Sequence, residues 1–262
     1  MAHDGRIAVV TGGGRGIGRA VAAALARDGL AVAVVARTEE DVEQTAAEIV
    51  GLGGRAAAIA GDVSDPESCG EIMSAIQEQL GGVCGILVNA AGVTGPVDEL
   101  AAVDPADWQM VLDVNLTGAL AMCRATIPAM CEQGWGRIVN VTSGLARRVQ
   151  PGLGAYSVSK AALLHLSRVM DAENRERGVR VFAIEPGVVR TDMNAFLRSQ
   201  EPTGVRASVI QMLDRMEADP GFVEPEESAA LIRLAATGQA DDLAGEAASI
   251  YDPAIRARRS PA

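Results

Sequence analysis

Lysine is almost missing from this chain. Of 23 basic side chains, Lys160 alone is a lysine and the rest are arginine. Aromatic residues make up only 3%. That argues against a base-stacking or carbohydrate-stacking surface and leaves the core to Ala, Val, Leu and Ile. Positive charge is also in deficit, with 23 basic against 34 acidic side chains and a net charge of -11. Neither nucleic acid nor an anionic membrane surface is expected as a main partner, because phosphate binding needs a basic face. A local basic pocket for one phosphate stays compatible with this balance. No run approaches the ~18 apolar residues of a membrane span. The longest, such as AVAAALA at 20–26, are of helix-face or strand size. The N-terminus leads directly into a strand pattern without a signal-peptide signature, so a soluble cytoplasmic protein is expected. Cys69, Cys84, Cys123 and Cys131 form no CxxC pair and have no histidine cluster beside them. They are expected to be buried reduced thiols, with no disulfide and no metal site.

What is present is regular alternation. RIAVVT at 6–11, LAVAVVAR at 30–37, RAAAIAGDV at 55–63, GILVNAAG at 85–92, GRIVNVTS at 136–143 and VRVFAIEPG at 179–187 are apolar strand patterns. Helical patterns separate them, among them one long stretch from about Pro105 to Gln133 and another over 155–177. Strands that are apolar throughout and alternate with helices predict an α/β fold, a parallel sheet covered on both faces. The length suits one doubly wound domain spanning 1–262. Regularity fails between Val188 and Glu224, where Met193, Phe196, Met212, Met216 and Phe222 sit among polar residues. This stretch follows a strand's C-terminal end, where open α/β sheets bind ligands. A substrate lid is expected at 188–224; an ordinary helical excursion is the other reading.

TGGGRGIG at 11–18 joins the first strand to the first helix. Gly12 permits a tight turn, Gly16 lets backbone approach a pyrophosphate, and Gly18 lets helix and strand pack closely. The helix start offers unpaired N–H groups and a positive dipole end to phosphates. At the end of the second strand, Ala36 stands where NAD sites place an acid, and Arg37 follows it. Arg37, and Arg15 within the glycine loop, are candidates for a 2′-phosphate, which a guanidinium fork suits. NADP(H) is favoured and NAD(H) is possible. Ordinary surface charge would explain both arginines, and Glu39 and Glu40 weigh the other way.

These motifs together resemble the short-chain dehydrogenase/reductase family, over roughly residues 5–250. The TGxxxGxG pattern runs from Thr11 to Gly18. Asp62-Val63 resembles the family's adenine-contacting pair, and NAAG at 89–92 stands where the family has NNAG. Asn115 in DVNLTG, Ser143, and the YxxxK motif of Tyr156 and Lys160 match the catalytic tetrad. PGVVRT at 186–191 resembles the nicotinamide-side loop. The resemblance implies a Rossmann-like sheet of about seven strands in the order 3-2-1-4-5-6-7. It also implies cofactor contacts at Gly12, Arg15, Gly16, Ile17, Gly18, Arg37, Asp62, Val63, Asn89, Ala90, Gly92, Tyr156, Lys160, Pro186, Gly187, Val188, Val189 and Thr191. Homodimers or homotetramers are usual in the family, and Val158, Ala162 and Leu166 could serve an interface or the core. The chain departs from the family pattern at Ala90, at Glu185 before the Pro-Gly, and at a C-terminus without the frequent Asp-Gly-Gly ending.

The chemistry gives the lone lysine a reason. Residues four apart share a helix face, so Tyr156 and Lys160 project together. A free phenol is a poor base near neutrality, and an ammonium ~4 Å away favours phenolate by about 4 kcal/mol before desolvation. By resemblance, NADPH delivers hydride to a carbonyl carbon, Tyr156 donates the proton, Ser143 orients the carbonyl oxygen, and Asn115 holds a water linking Lys160 to solvent. The expected activity is ketoreductase-like, an NADP(H)-dependent oxidoreductase interconverting a carbonyl and a secondary alcohol. Alternatives are an NAD(H)-dependent alcohol dehydrogenase, a non-catalytic cofactor-binding protein, or an epimerase or dehydrogenase–dehydratase. Met193, Phe196, Leu197 and Met212 are candidate substrate-lining residues, which suits an apolar ligand. His165 lies nine positions past Tyr156 and faces roughly the opposite side; His3 carries no site signal.

Overall fold

The strand patterns form one sheet. In a computed structural model, which describes residues 6–219 and 221–258, seven strands pair in the order β3-β2-β1-β4-β5-β6-β7. They are β1 (Arg6–Thr11), β2 (Ala31–Ala36), β3 (Arg55–Ala60), β4 (Val83–Asn89), β5 (Gly136–Val141), β6 (Val179–Glu185) and β7 (Ala247–Ser249). Every neighbouring pair is parallel. His3 lies outside the described residues.

The period of two along each strand sorts the core into two halves. Ala8, Val10, Val32, Val34, Ile86 and Val88 face one side, where they meet Val21 and Leu25 of α1 (Gly16–Arg27), Val42 and Ile49 of α2 (Glu39–Gly51), and Leu231 and Ile232 of α9 (Pro225–Ala236). Ile7, Val9, Ala33, Val35 and Leu87 face the other, against Ile72 and Ile76 of α3 (Pro66–Leu80), Met122 and Met130 of α5 (Gly118–Glu132) and Met170 of α6 (Gly154–Asn174). This is the doubly wound arrangement that alternation predicts, in the Rossmann-like strand order that the family resemblance implies.

The expected long helix from Pro105 is not continuous. α4 (Pro105–Leu112) passes through a π-turn, Asp113–Thr117, before α5 begins. The whole stretch Pro105–Glu132 is long and apolar enough to cross a membrane by length and composition. Here it covers the sheet, and Met122, Cys123 and Met130 are fully buried.

The irregular stretch after β6 holds α7 (Asp192–Arg198) and α8 (Gly204–Ala218). Its two roots are tied together. The Arg190 N–H donates to Val223 O at 3.1 Å and the Val223 N–H to Val188 O at 3.0 Å. Val209 and Leu213 of α8 pack on Val97, Leu153 and Leu197 in a third apolar cluster. The last strand, β7, is only three residues long. After Ser249 the chain turns, and the Ile250 N–H donates to Glu185 O at 3.1 Å. A short helix, α10 (Pro253–Ala257), follows.

Candidate active site

The sheet order reverses between β1 and β4, so the loops after these strands diverge and leave a crevice at their C-terminal ends. Two bonds hold the crevice floor. The Ala90 N–H donates to Thr11 O at 3.2 Å, and the Ala91 N–H to Thr11 Oγ1 at 3.3 Å. The glycine loop needs its glycines for contact. A Cβ on Gly18 would lie 2.1 Å from Gly12 O, and one on Gly12 would lie 2.7 Å from Ala91 N at a φ of +65°. α1 opens with no acid in its first turn and no side-chain cap on its amides. Unpaired N–H groups, a positive dipole end and no competing carboxylate suit a phosphate. Arg37 is exposed at the end of β2. Burial works against the Asp62 carboxylate, but bonds from the Ser64 hydroxyl and amide, with the Arg37 charge, carry it below its ordinary value. Arg15 is exposed and sits 3.5 Å from Asp192. The residues present therefore fit a dinucleotide.

One candidate is placed elsewhere. The Asn89 side chain points into the helix layer behind the sheet and donates to Asn140 Oδ1 at 2.9 Å. Strand alternation puts it on the Leu87 face, so its side chain is a tie between β4 and β5 rather than a pocket group. Val63 is buried, and its carbonyl lies where a Cβ on Gly118 would come within 2.6 Å.

Beyond the crevice lies a cavity of about 320 Å³. Ile17, Ala90, Gly92, Ser143, Tyr156, Lys160, Thr191 and the run Pro186 to Val189 all line it. Ser143, Tyr156 and Lys160 of the tetrad line the cavity, and with Asn115 behind them the four come from three separate places in the chain. Ser143 follows β5, and its Oγ accepts the Leu145 N–H at 3.2 Å and hydrogen-bonds the Tyr156 hydroxyl. Lys160 is buried, one turn after Tyr156 on α6, and its Nζ donates to Val141 O at 2.8 Å. Asn115 sits in the π-turn. Its Nδ2 donates to Val93 O at 2.8 Å and to Ser159 Oγ at 2.9 Å, while its Oδ1 accepts the Val93 N–H at 2.8 Å. The extra residue of a π-turn is what rotates this side chain off the regular helix path and against α6.

The protonation balance differs from the expectation for the Tyr–Lys pair. Part of the Tyr156 ring faces the cavity, but its hydroxyl is deep enough that burial pushes the phenol above its ordinary value, with the Ser143 bond pulling it partly back. Burial also pushes the Lys160 ammonium down to about 8. Nζ is directed at Val141 O and stands 5.8 Å from the Tyr156 ring centre, so desolvation outweighs the attraction expected from spacing alone.

Of the substrate candidates, Met193, Leu197 and Met212 line the cavity. Phe196 does not. It is 49% exposed on the outer face of α7, one position out of register with Met193 and Leu197. His165 is exposed and lines no part of the cavity. Sequence reading missed Leu145, Arg148, Gln150, Arg215 and Tyr251, which also line it. Tyr251 carried a signal, as one of only two tyrosines in the chain. Glu185, noted as a departure, is buried at the cavity wall with Arg147 at 2.6 Å and Arg148 at 3.2 Å.

A dinucleotide-type crevice that opens onto a Ser–Tyr–Lys cluster defines an oxidoreductase. The family model described as short chain dehydrogenase matches residues 6–202, and the chain belongs to that family, whose members bind NAD(P) and act on small molecules with CH–OH or C=O groups. Short-chain reductase protein NovJ of Streptomyces niveus is 38% identical over 92% of this chain and 90% of its own length. The 3-oxoacyl-[acyl-carrier-protein] reductase FabG of Vibrio cholerae is 32% identical over 94% of this chain and 96% of its own. A crystal structure of a putative NAD(P)-dependent gluconate 5-dehydrogenase from Beutenbergia cavernae, with bound NADP at low occupancy, superposes with a TM-score of 0.83. It is 34% identical and covers 94% of this chain and 95% of its own.

Proposed function

We propose that this enzyme is an NADP(H)-dependent ketoreductase, interconverting a carbonyl and a secondary alcohol with Tyr156 as the general acid and base. The observation that carries the proposal is the convergence of Ser143, Tyr156 and Lys160 on one cavity wall that is continuous with the glycine-loop crevice.

A nicotinamide cofactor bound in that crevice supplies or accepts the hydride. The chain's own residues handle the proton and the oxygen. A phenol held above its ordinary value is protonated near neutrality, which is the form needed to give a proton to a forming alkoxide. Ser143 is the second donor, aimed where negative charge develops on the oxygen. Lys160, with its value lowered to about 8, is mostly charged at neutrality and can pass a proton on. The Asn115 amide is engaged with Val93 and Ser159, which leaves one lone pair of Oδ1 for a relay water. Arg37, with no acid at Ala36, supports NADP(H) over NAD(H). α7 and α8 form the substrate lid in this reading. A homo-oligomer is part of it too, with the exposed Val158 face of α6 as the contact.

Titration of the purified protein with NADPH and NADH, followed by nicotinamide fluorescence, tests the cofactor half. Tight NADPH and weak NADH binding is expected. The reverse order removes NADP(H) and keeps an NAD(H) dehydrogenase. Binding of neither cofactor removes the redox function.

A further inference from the structure

We infer that the substrate is an anionic amphiphile, a carbonyl or alcohol compound whose apolar stem ends in a carboxylate-like group held by Arg215 and Arg148. The inference rests on the oxidoreductase reading and adds the substrate class. The cavity wall is mostly apolar, with Leu145, Leu153, Leu197, Met212 and Met216 around the space next to Tyr156. Charge in the cavity is nevertheless strongly biased. Arg148, Arg215 and Lys160 face it against one carboxylate, Glu185, in a chain whose net charge is -11.

Arg148 shares Glu185 with another arginine, and Arg215 has no ion pair among the described residues. Glu185 already has Arg147 at 2.6 Å, and Arg148 makes the longer contact, 3.2 Å, to the other carboxylate oxygen. Room for the Arg148 guanidinium is built in, because a Cβ on Gly144 would lie 1.9 Å from its Nη2. On the opposite wall, the other arginines of the 188–224 stretch each have an acid. Arg190 pairs with Glu217 and Glu224, Arg198 with Asp214 and Glu217, and Arg206 with Asp98. Arg215 has no ion pair among the described residues, yet it lines the cavity. It is exposed, and Arg148 is half-exposed, so both heads stand toward the mouth while Tyr156 lies deeper. The cavity thus offers a proton donor, an apolar wall and two arginines on its lining, which suggests the order of groups on the ligand. A planar fork binds a carboxylate by two parallel bonds.

The test uses the full chain, saturating NADPH or NADH, and the oxo-acids from 4-oxononanoate to 8-oxononanoate, each beside its methyl ester. For at least one spacing, kcat/KM for the acid is expected to exceed that for the ester by about 30-fold, mainly through KM, as charge-assisted bonds to arginine imply. In Arg215→Ala that ratio should fall to within about threefold of unity, and Arg215→Lys should restore part of it. Acid and ester turned over alike at every spacing overturns the inference and leaves the ketoreductase reading standing. So does a wild-type ratio in Arg215→Ala. If neither is turned over, calorimetry with the same acids decides. Binding that is lost in Arg215→Ala keeps the anion site and leaves the redox reading to the cofactor titration; no such binding overturns the inference.

Discussion

The Val188 N–H donates to the Tyr251 hydroxyl at 2.8 Å, and that hydroxyl donates onward to Gly221 O at 3.1 Å. Val188 and Gly221 are the two ends of the stretch carrying α7 and α8, so one phenol from the C-terminal segment closes both. Tyr251→Phe leaves a donor and an acceptor without their partner, at a cost of about 1–3 kcal/mol. The expected result is a melting temperature lower by several degrees and faster amide exchange at Val188 and Val223. KM should rise more than kcat falls, because Tyr251 positions the wall rather than moving a proton. An unchanged exchange pattern would show that the backbone bonds between the roots suffice without it.

Tyr156→Phe removes the proposed proton donor but keeps the ring. Turnover should fall by roughly 10³-fold or more, while cofactor affinity changes little. The measurement is kcat alongside a nicotinamide fluorescence titration. Turnover within an order of magnitude of wild type would move the proton-transfer role away from this residue.

Arg37→Asp places an acid beside the position Ala36 occupies. NADPH binding is expected to weaken by roughly 10–100-fold, as for loss of a charge-assisted pair, with NADH binding changed far less. Equal losses for the two cofactors would show that Arg37 does not read the 2′-phosphate.

Lys160→Met makes a prediction about stability as well as rate. The folded value near 8 lies below the ordinary 10.5, so the unfolded chain binds more protons between those pH values. The lysine's contribution is therefore most unfavourable below about pH 8 and improves as pH rises toward 10.5, by about 3 kcal/mol at most. Urea unfolding at pH 7.5 and pH 9.5 should show wild type gaining on Lys160→Met at the higher pH, while the variant loses turnover at both. Parallel stability changes in the two proteins would mean that the ammonium keeps its ordinary affinity for protons in the fold. In wild type, loss of the Lys160 charge should lower turnover as pH rises through about 8.

Much of this protein was set by local sequence. Uninterrupted apolar strands separated by helices permit little besides a covered parallel sheet, because backbone polar groups must pair and both faces must be buried. Gly12 and Gly18 were legible because backbone approaches of that closeness exclude a Cβ. Tyr156 and Lys160 were legible because helical spacing fixes their shared side. The sequence could not show which way burial would shift their protons, since desolvation depends on everything packed around them. Nor could it show that Asn89 turns away from the crevice, that a π-turn aims Asn115, or that Phe196 points outward while Leu197 points in. Those outcomes depend on register and on small rotations along a helix, which neighbouring elements decide. Arg148, Arg215 and Tyr251 come from three distant segments. Only the closure of the tertiary structure puts them on one cavity, because their proximity is a property of the sheet order and not of the chain between them.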